Sequence, residues 1–166
     1  MDWFDSDYYH ILYKHRDYSE ARNFIDKIVE YLDLKKGSKI LDLACGIGRH
    51  SIYLEKIGFD VIGTDKSTNN IKKAKKNEND KLKFIQMEMI NDTNRKYDGI
   101  FNLFTSFGYV NHDYNLETIK NIERQLKDDG TVIVDFMNTL FVKNNLVIEE
   151  TKVIDDLIFK IKRKSD

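Results

Sequence analysis

Ile40-Leu41-Asp42-Leu43-Ala44-Cys45-Gly46-Ile47-Gly48-Arg49 is an apolar run that carries one acid and then breaks at two glycines. An apolar segment of this length ahead of Gly-x-Gly reads as a buried strand, and the residues from position 48 onward read as a helix. Strand, glycine turn and helix bring bare backbone and a helix N-terminus against a ligand that needs close approach. The rest of the chain continues in the same style. Short apolar runs at 39–44, 60–64, 82–86, 98–104 and 131–136 alternate with helical patterns at 48–57, 67–77 and 113–127. That alternation predicts an α/β fold: a doubly wound, mainly parallel sheet with helices on both faces.

Outside this core, Phe24, Ile25, Ile28, Val29 and Leu32 recur at helical spacing before Gly37, which predicts an amphipathic helix over 19–35. Asp128-Asp129-Gly130 is expected to stop the last long helix, and Thr131-Val132-Ile133-Val134-Asp135-Phe136 has the continuous apolar character of a strand buried on both faces. Residues 147–154 and 157–163 flank Asp155-Asp156 and predict an antiparallel hairpin. The expected organisation is one domain over 1–166: a lid and helix in 1–35, a ligand-binding core in 36–140 and a β-hairpin in 147–164.

With 166 residues, 41 % hydrophobic and 33 % charged, the chain has the composition of an ordinary globular domain. Lys and Arg total 27 against 28 Asp and Glu, so no global positive excess is present to hold nucleic acid or an anionic membrane. Cys45 is the single cysteine, which excludes an internal disulfide and a cysteine metal cage and suits a reducing cytoplasm. The N-terminus, Met1-Asp2-Trp3-Phe4-Asp5, is too acidic for a signal peptide, and no apolar run approaches the roughly 18 residues of a membrane span. A cytoplasmic protein acting on a small molecule is the expectation, with no metal.

Two adenosyl cofactors use a strand, a glycine turn and a helix. The dinucleotide fingerprint asks for a third glycine at position 51, where this chain has Ser51, and it gives no role to Asp42. A strand-borne carboxylate suits a ligand that carries an ammonium and a sulfonium in place of a pyrophosphate. Asp65 closes the second apolar run, where a carboxylate can accept from both ribose hydroxyls of either cofactor; capping the helix that begins near Ser67 is the plainer alternative.

Leu41 to Gly48, Gly63-Thr64-Asp65, Glu88-Met89 and Asn102 to Tyr109 together resemble class I S-adenosylmethionine-dependent methyltransferases, over most of residues 3 to 140. Within them the chain is most similar to small-molecule enzymes, including the sugar-amine N-methyltransferase type. The resemblance implies a Rossmann-like methyltransferase fold with S-adenosyl-L-methionine as cofactor. It implies that Gly46 and Gly48 pass under the methionine part, that Ala44 keeps room at the loop, and that Asp65, followed by Lys66, holds the ribose. Glu88 would accept from the adenine amino group beside Met89, although Met87-Glu88-Met89 departs from the family's more usual Gly-Asp-Met. Asn102, Leu103 and Phe104 would line the pocket near the transferred methyl.

Asp5 to Arg16 is dense in aromatics ahead of any strand. The resemblance makes it a lid in which Tyr9 and Tyr13, four apart on a helical face, close over the cofactor and Arg16 pairs with its carboxylate; packing of Trp3, Ile11 and Leu12 on the sheet is the alternative. On the acceptor side His112 is the candidate base. The chain has no proline, so the Asn/Asp-Pro-Pro-aromatic motif that resembles amino-methylation of DNA bases or protein glutamine is impossible here. Methyltransferases of this type usually finish with two further strands that residues 1–166 do not supply, so the edge of 131–136 would be exposed unless the hairpin or a homodimer covers it; a fragment or truncated form of a longer protein is the expectation, with a homodimer as the compensating possibility. The expected function is methyl transfer to a small-molecule N or O acceptor. The alternatives are a truncated binding module without a complete acceptor site and, further off, an NAD-dependent oxidoreductase.

Overall fold

The computed structural model describes residue 3 and residues 6–163. Asp5 of the expected lid and residue 164 of the expected hairpin lie outside them. The chain divides into two compact units, one made of residues 1–15 and 137–166 and the other of Arg16–Phe136.

The larger unit begins with α2 (Tyr18–Leu32), after α1 (Asp7–Leu12) of the smaller one. Asp17 caps α2 by accepting from the amides of Ser19 and Glu20, and Asp33 ends it in a left-handed conformation. Then follow β1 (Lys39–Leu43), α3 (Arg49–Lys56), β2 (Asp60–Asp65), α4 (Thr68–Ala74), β3 (Leu82–Gln86), β4 (Tyr97–Asn102), α5 (His112–Gln125) and β5 (Leu126–Val134). The five strands form one parallel sheet in the order β3-β2-β1-β4-β5. One face is filled by Ile25 of α2, Leu54 of α3, and Ile71 and Ala74 of α4, packed on Ile40, Val61, Leu82, Phe84 and Phe101. The other is filled by Leu41, Leu43, Ile62 and Ile100 with Ile122 of α5. The doubly wound sheet is therefore present, and its order reverses between β1 and β4. In open α/β sheets ligands bind outside the carboxyl ends of the strands at such a reversal, and the glycine loop follows β1 at that point.

Three expectations need correction. The last long helix ends at Gln125, ahead of Asp128-Asp129-Gly130; the chain pairs with β4 from Leu126 onward, and residues 127–130 form an irregularity between the Tyr97–Leu126 and Gly99–Thr131 partners. Helix 67–77 is shorter, because α4 stops at Ala74 and tightens into a 3-10 turn over Lys75–Asn77. Finally, the strand predicted over 131–136 is not buried on both faces: Ile133 packs into the core, while Val132 and Val134 are 40 % and 43 % exposed. Among the described residues β5 pairs only with β4, so one of its edges is open.

In the smaller unit Ser6 caps α1, and α6 (Thr139–Asn145) precedes β6 (Glu149–Ile154) and β7 (Leu157–Lys162). These two strands make the predicted hairpin as a separate antiparallel sheet, turning through Asp155 and Asp156, both left-handed at φ 48° and 64°. Two consecutive positive φ values are what a tight two-residue hairpin turn requires. Lys14 next to α1 reaches the turn through Asp155 at 2.6 Å.

Candidate functional site

The loop after β1 is built from alternating left-handed residues: Ala44, Gly46 and Gly48 have φ values of 64°, 58° and 83°. The two glycines do different work. A Cβ on Gly48 would stand 2.5 Å from the Phe84 ring, so this position is glycine because the loop lies tight on β3. A Cβ on Gly46 would meet nothing within 4 Å, so its backbone faces open space. Between them Cys45 is buried, its amide donating to the Thr64 carbonyl at 2.8 Å, and burial pushes its thiol well above the usual range.

Asp42 and Ser51 separated the two cofactor readings in the sequence, and they prove to be one contact. The Ser51 hydroxyl donates to Asp42 Oδ2 at 2.5 Å beneath the loop, with both residues buried. Burial raises the Asp42 carboxyl to about 6; the Ser51 hydrogen bond opposes the rise and the nearby Asp65 charge adds to it. Asp42 thus ties β1 to α3 from below.

Asp65 ends β2 and is nearly buried. Its Oδ2 accepts the Gly46 amide at 2.9 Å, and its Oδ1 accepts the Ser67 amide at 2.9 Å and Asn70 Nδ2 at 3.4 Å. The helix cap itself is Ser67, whose hydroxyl accepts from the Asn70 amide. One carboxylate therefore joins loop, strand and helix. Lys66 beside it is exposed.

Glu88, after β3, accepts from the Tyr114 hydroxyl of α5 at 2.7 Å. Burial first, and then this carboxylate, push the Tyr114 phenol up to about 12. The Met89 carbonyl accepts from Asn121 Nδ2, and its sulfur contacts Asn102 Nδ2 at 3.5 Å. Asn102 also donates to the Leu43 carbonyl at 2.8 Å, linking the ends of β4 and β1, while its buried Oδ1 has no partner among the described residues. Leu103 is buried in the core.

Phe104 and Thr105 are both left-handed, at φ 61° and 54°, and the turn is held by Asp135 at the end of β5, whose carboxylate accepts the Phe104 amide at 2.9 Å. Two guanidinium groups lie against the Phe104 ring, Arg16 at 5.0 Å and Arg49 at 5.7 Å from its centroid. His112 is the exposed first residue of α5, after the Asn111 cap. Tyr9 and Tyr13 belong to the smaller unit, where their rings contact each other at 5.0 Å.

The larger unit thus brings Ala44, Gly46, Gly48, Asp65 and Asp42 into one assembly, and Asn102 bridges it to Met89. Sequence reasoning did not single out Glu20, Tyr114 or Asp135 and gave Arg49 no role. For Arg49 a signal existed, since it is the first helical residue after the glycine loop; for the others only tertiary contacts reveal the part.

Residues 34–162 match the sequence pattern of a family described as a methyltransferase domain. Over 127 residues the chain is 30 % identical to a glycine/sarcosine N-methyltransferase of Halorhodospira halochloris, covering 72 % of this chain and 47 % of that protein. A shorter stretch of 56 residues, 34 % of this chain and 12 % of the relative, is 36 % identical to a 23S rRNA (uracil(1939)-C(5))-methyltransferase of Neisseria lactamica. The chain spans less than half the length of either curated relative. Among solved structures, a TehB-like SAM-dependent methyltransferase from Corynebacterium glutamicum superposes with a TM-score of 0.60 at 26 % identity, covering 80 % of this chain and 73 % of that one.

Proposed function

The chain belongs to the class I S-adenosylmethionine-dependent methyltransferases, and from that premise we propose that it binds S-adenosyl-L-methionine at the carboxyl ends of β1, β2 and β4 and methylates a small-molecule amine or hydroxyl. The observation that carries the reading is the loop: Gly46 presents bare backbone to open space while its amide rests on Asp65. The unpartnered Asn102 Oδ1 adds a buried acceptor at the end of β4.

The residues fit the group. A carboxylate has about four lone-pair sites, and Asp65 uses three on the chain itself, which leaves capacity for a ribose hydroxyl. Gly46 and Gly48, with Ala44 making room, would lie under the methionine part, and Arg16 would pair with its carboxylate. Glu88, held by Tyr114 through one oxygen, keeps the other for the adenine amino group beside Met89. Asn102, Leu103 and Phe104 line the methyl side.

The bound cofactor supplies a sulfonium methyl whose leaving group is a neutral thioether. The chain's own contribution is alignment of the acceptor with that bond, the effect from which positioning draws most of its power. For an amine acceptor, His112 is the proposed group to take the released proton.

Calorimetric titration with S-adenosylmethionine, S-adenosylhomocysteine and NAD tests the reading. Binding of the two adenosyl-amino-acid ligands is the expected result, with Asp65→Ala weakening both by about tenfold; tighter NAD binding overturns it. Turnover on a panel of amines and hydroxyls then separates N from O transfer, and His112→Gln should slow an amine substrate without changing cofactor affinity.

A further inference from the structure

Arg16 and Arg49 come from different elements and share one anion. Arg16 Nη1 donates to Glu20 Oε1 at 2.9 Å and Arg49 Nη1 to Glu20 Oε2 at 2.9 Å, so each carboxylate oxygen serves a different guanidinium. Arg49 Nη1 also donates to the Asp17 carbonyl at 2.9 Å. Among the described residues Glu20 is the only carboxylate paired with either arginine. The cluster therefore holds two positive charges against one negative. Its side chains are 14 % exposed for Arg49, 32 % for Glu20 and 41 % for Arg16, so the middle of the cluster is shielded and the Arg16 side opens to solvent.

Phe104 fixes this arrangement from beneath. Both guanidinium carbons lie over its ring, at 5.0 Å for Arg16 and 5.7 Å for Arg49, and its backbone is pinned in the left-handed turn by Asp135. Arginine forks whose orientation is set in advance lose little freedom when they take up a planar anion. Burial works to raise the Glu20 carboxyl, and the hydrogen bonds from Arg49 and Arg16 outweigh it and hold Glu20 below its ordinary value. Glu20 is thus ionised and fully engaged at neutral pH.

We propose that Arg16 and Arg49 on the Phe104 ring form a carboxylate-exchange site in which Glu20 is the resident anion, displaced when the carboxylate of an amino-acid group enters. The inference rests on the adenosyl reading above and deepens it: Arg49 joins Arg16 in the recognition, and Glu20 is the residue that sets its strength. Two ligands could bring that carboxylate, the amino-acid end of the methyl donor or an amino-acid acceptor. No covalent step is involved; one ion pair is exchanged for another.

The experiment compares ligands that differ only in the carboxylate-bearing part. The intact chain, Glu20→Gln, Arg49→Met and Arg49→Lys are titrated calorimetrically at low salt with S-adenosylhomocysteine, 5′-methylthioadenosine, glycine and methylamine. With its competing charge removed, Glu20→Gln should bind the carboxylate-bearing ligand about fivefold to tenfold more tightly, and Arg49→Met should lose about tenfold or more. Arg49→Lys, which keeps the charge and loses the fork, should fall between. Methylthioadenosine and methylamine should be bound equally by every variant, a selectivity that simple damage to the fold would not produce. A response to S-adenosylhomocysteine alone assigns the site to the donor, and a response to glycine alone assigns it to the acceptor.

Weaker or unchanged binding in Glu20→Gln overturns the inference, as does parallel loss of the paired ligands with and without a carboxylate. If the unaltered chain binds neither adenosyl ligand, the adenosyl reading itself falls. The glycine arm then decides the exchange site alone, and absence of glycine binding overturns that too.

Discussion

β1 and β5 carry similar apolar side chains and meet opposite fates. Ile40, Leu41 and Leu43 of β1 are at most 2 % exposed, with α2 and α3 on one face and α5 on the other. Val132 and Val134 of β5 stand 40 % and 43 % exposed although the run Thr131-Val132-Ile133-Val134 is as apolar as Ile40-Leu41-Asp42-Leu43. The central strand has a neighbour on each side and helices on both faces; the edge strand has one neighbour and packs one face. Burial here is a property of place in the sheet order, and the polar groups follow it. The buried acids Asp42 and Asp65 lie at the ends of the two strands, β1 and β2, that can supply partners for them.

The largest expected effect lies in the loop over the buried half. Gly48→Ala combines a left-handed backbone with a Cβ 2.5 Å from Phe84, and should destabilise the chain by about 4 kcal/mol. Gly46→Ala carries only the backbone strain of φ 58° and should cost about 1 kcal/mol in chemical denaturation, while weakening adenosyl-ligand binding severely. Equal losses at the two glycines would break the distinction between a packing glycine and a ligand-facing one.

Next comes the direct test of centre against edge. Leu41→Ala should cost about 3 kcal/mol and Val132→Ala under about 1 kcal/mol, since a half-exposed valine loses little by truncation. A large, concentration-dependent loss at Val132 would show that a second copy covers the edge, and the comparison would then describe an isolated subunit only.

Two buried titrating groups sharpen the picture further. Asp42, raised to about 6, binds its proton more tightly folded than unfolded. It therefore favours the fold at low pH and becomes a cost as pH rises from 3.8 through about 6. His50, lowered to about 4 by burial and then by Arg49, behaves oppositely. Its contribution is intact above 6.5 and is lost as pH falls towards 4. Each effect is about 3 kcal/mol at most, so they oppose each other between pH 4 and 6. Asp42→Asn should stabilise the chain by about 2 kcal/mol at pH 7.5, seen as a higher melting temperature, and should expose a decline below pH 6 that the unaltered chain conceals. A flat acid profile in that variant would remove His50 from the account.

The smallest effect belongs to the hairpin unit. Breaking the Lys14–Asp155 pair, whose side chains are 54 % and 62 % exposed, should change stability by less than about 1 kcal/mol, and a double-mutant cycle measures it.

Much of the site was legible in the sequence because it is local. Gly46 and Gly48 mark a turn because only a residue without a Cβ enters the left-handed region freely, and Asp65 is marked by its place at the end of an apolar run. Asp155-Asp156 announced the hairpin turn because it too is local. The end of α5 departs from local propensity: Gly130 is a strong stop signal, yet pairing of Leu126 with Tyr97 ends the helix first. Asp42 and Ser51 each carry a signal in the sequence, but only the docking of α3 on β1 brings them together.

What the sequence by itself determined is the alternation of strand and helix, the glycine loop and the acids beside it, because periodicity, chirality and turn chemistry act over a few residues. The tertiary structure alone decided which apolar strand is central and which lies at the edge. It also decided that Arg16 from before α2 and Arg49 from α3 converge on Glu20 over the Phe104 ring. Contacts between residues far apart in the chain depend on how elements pack, and no local pattern encodes that packing.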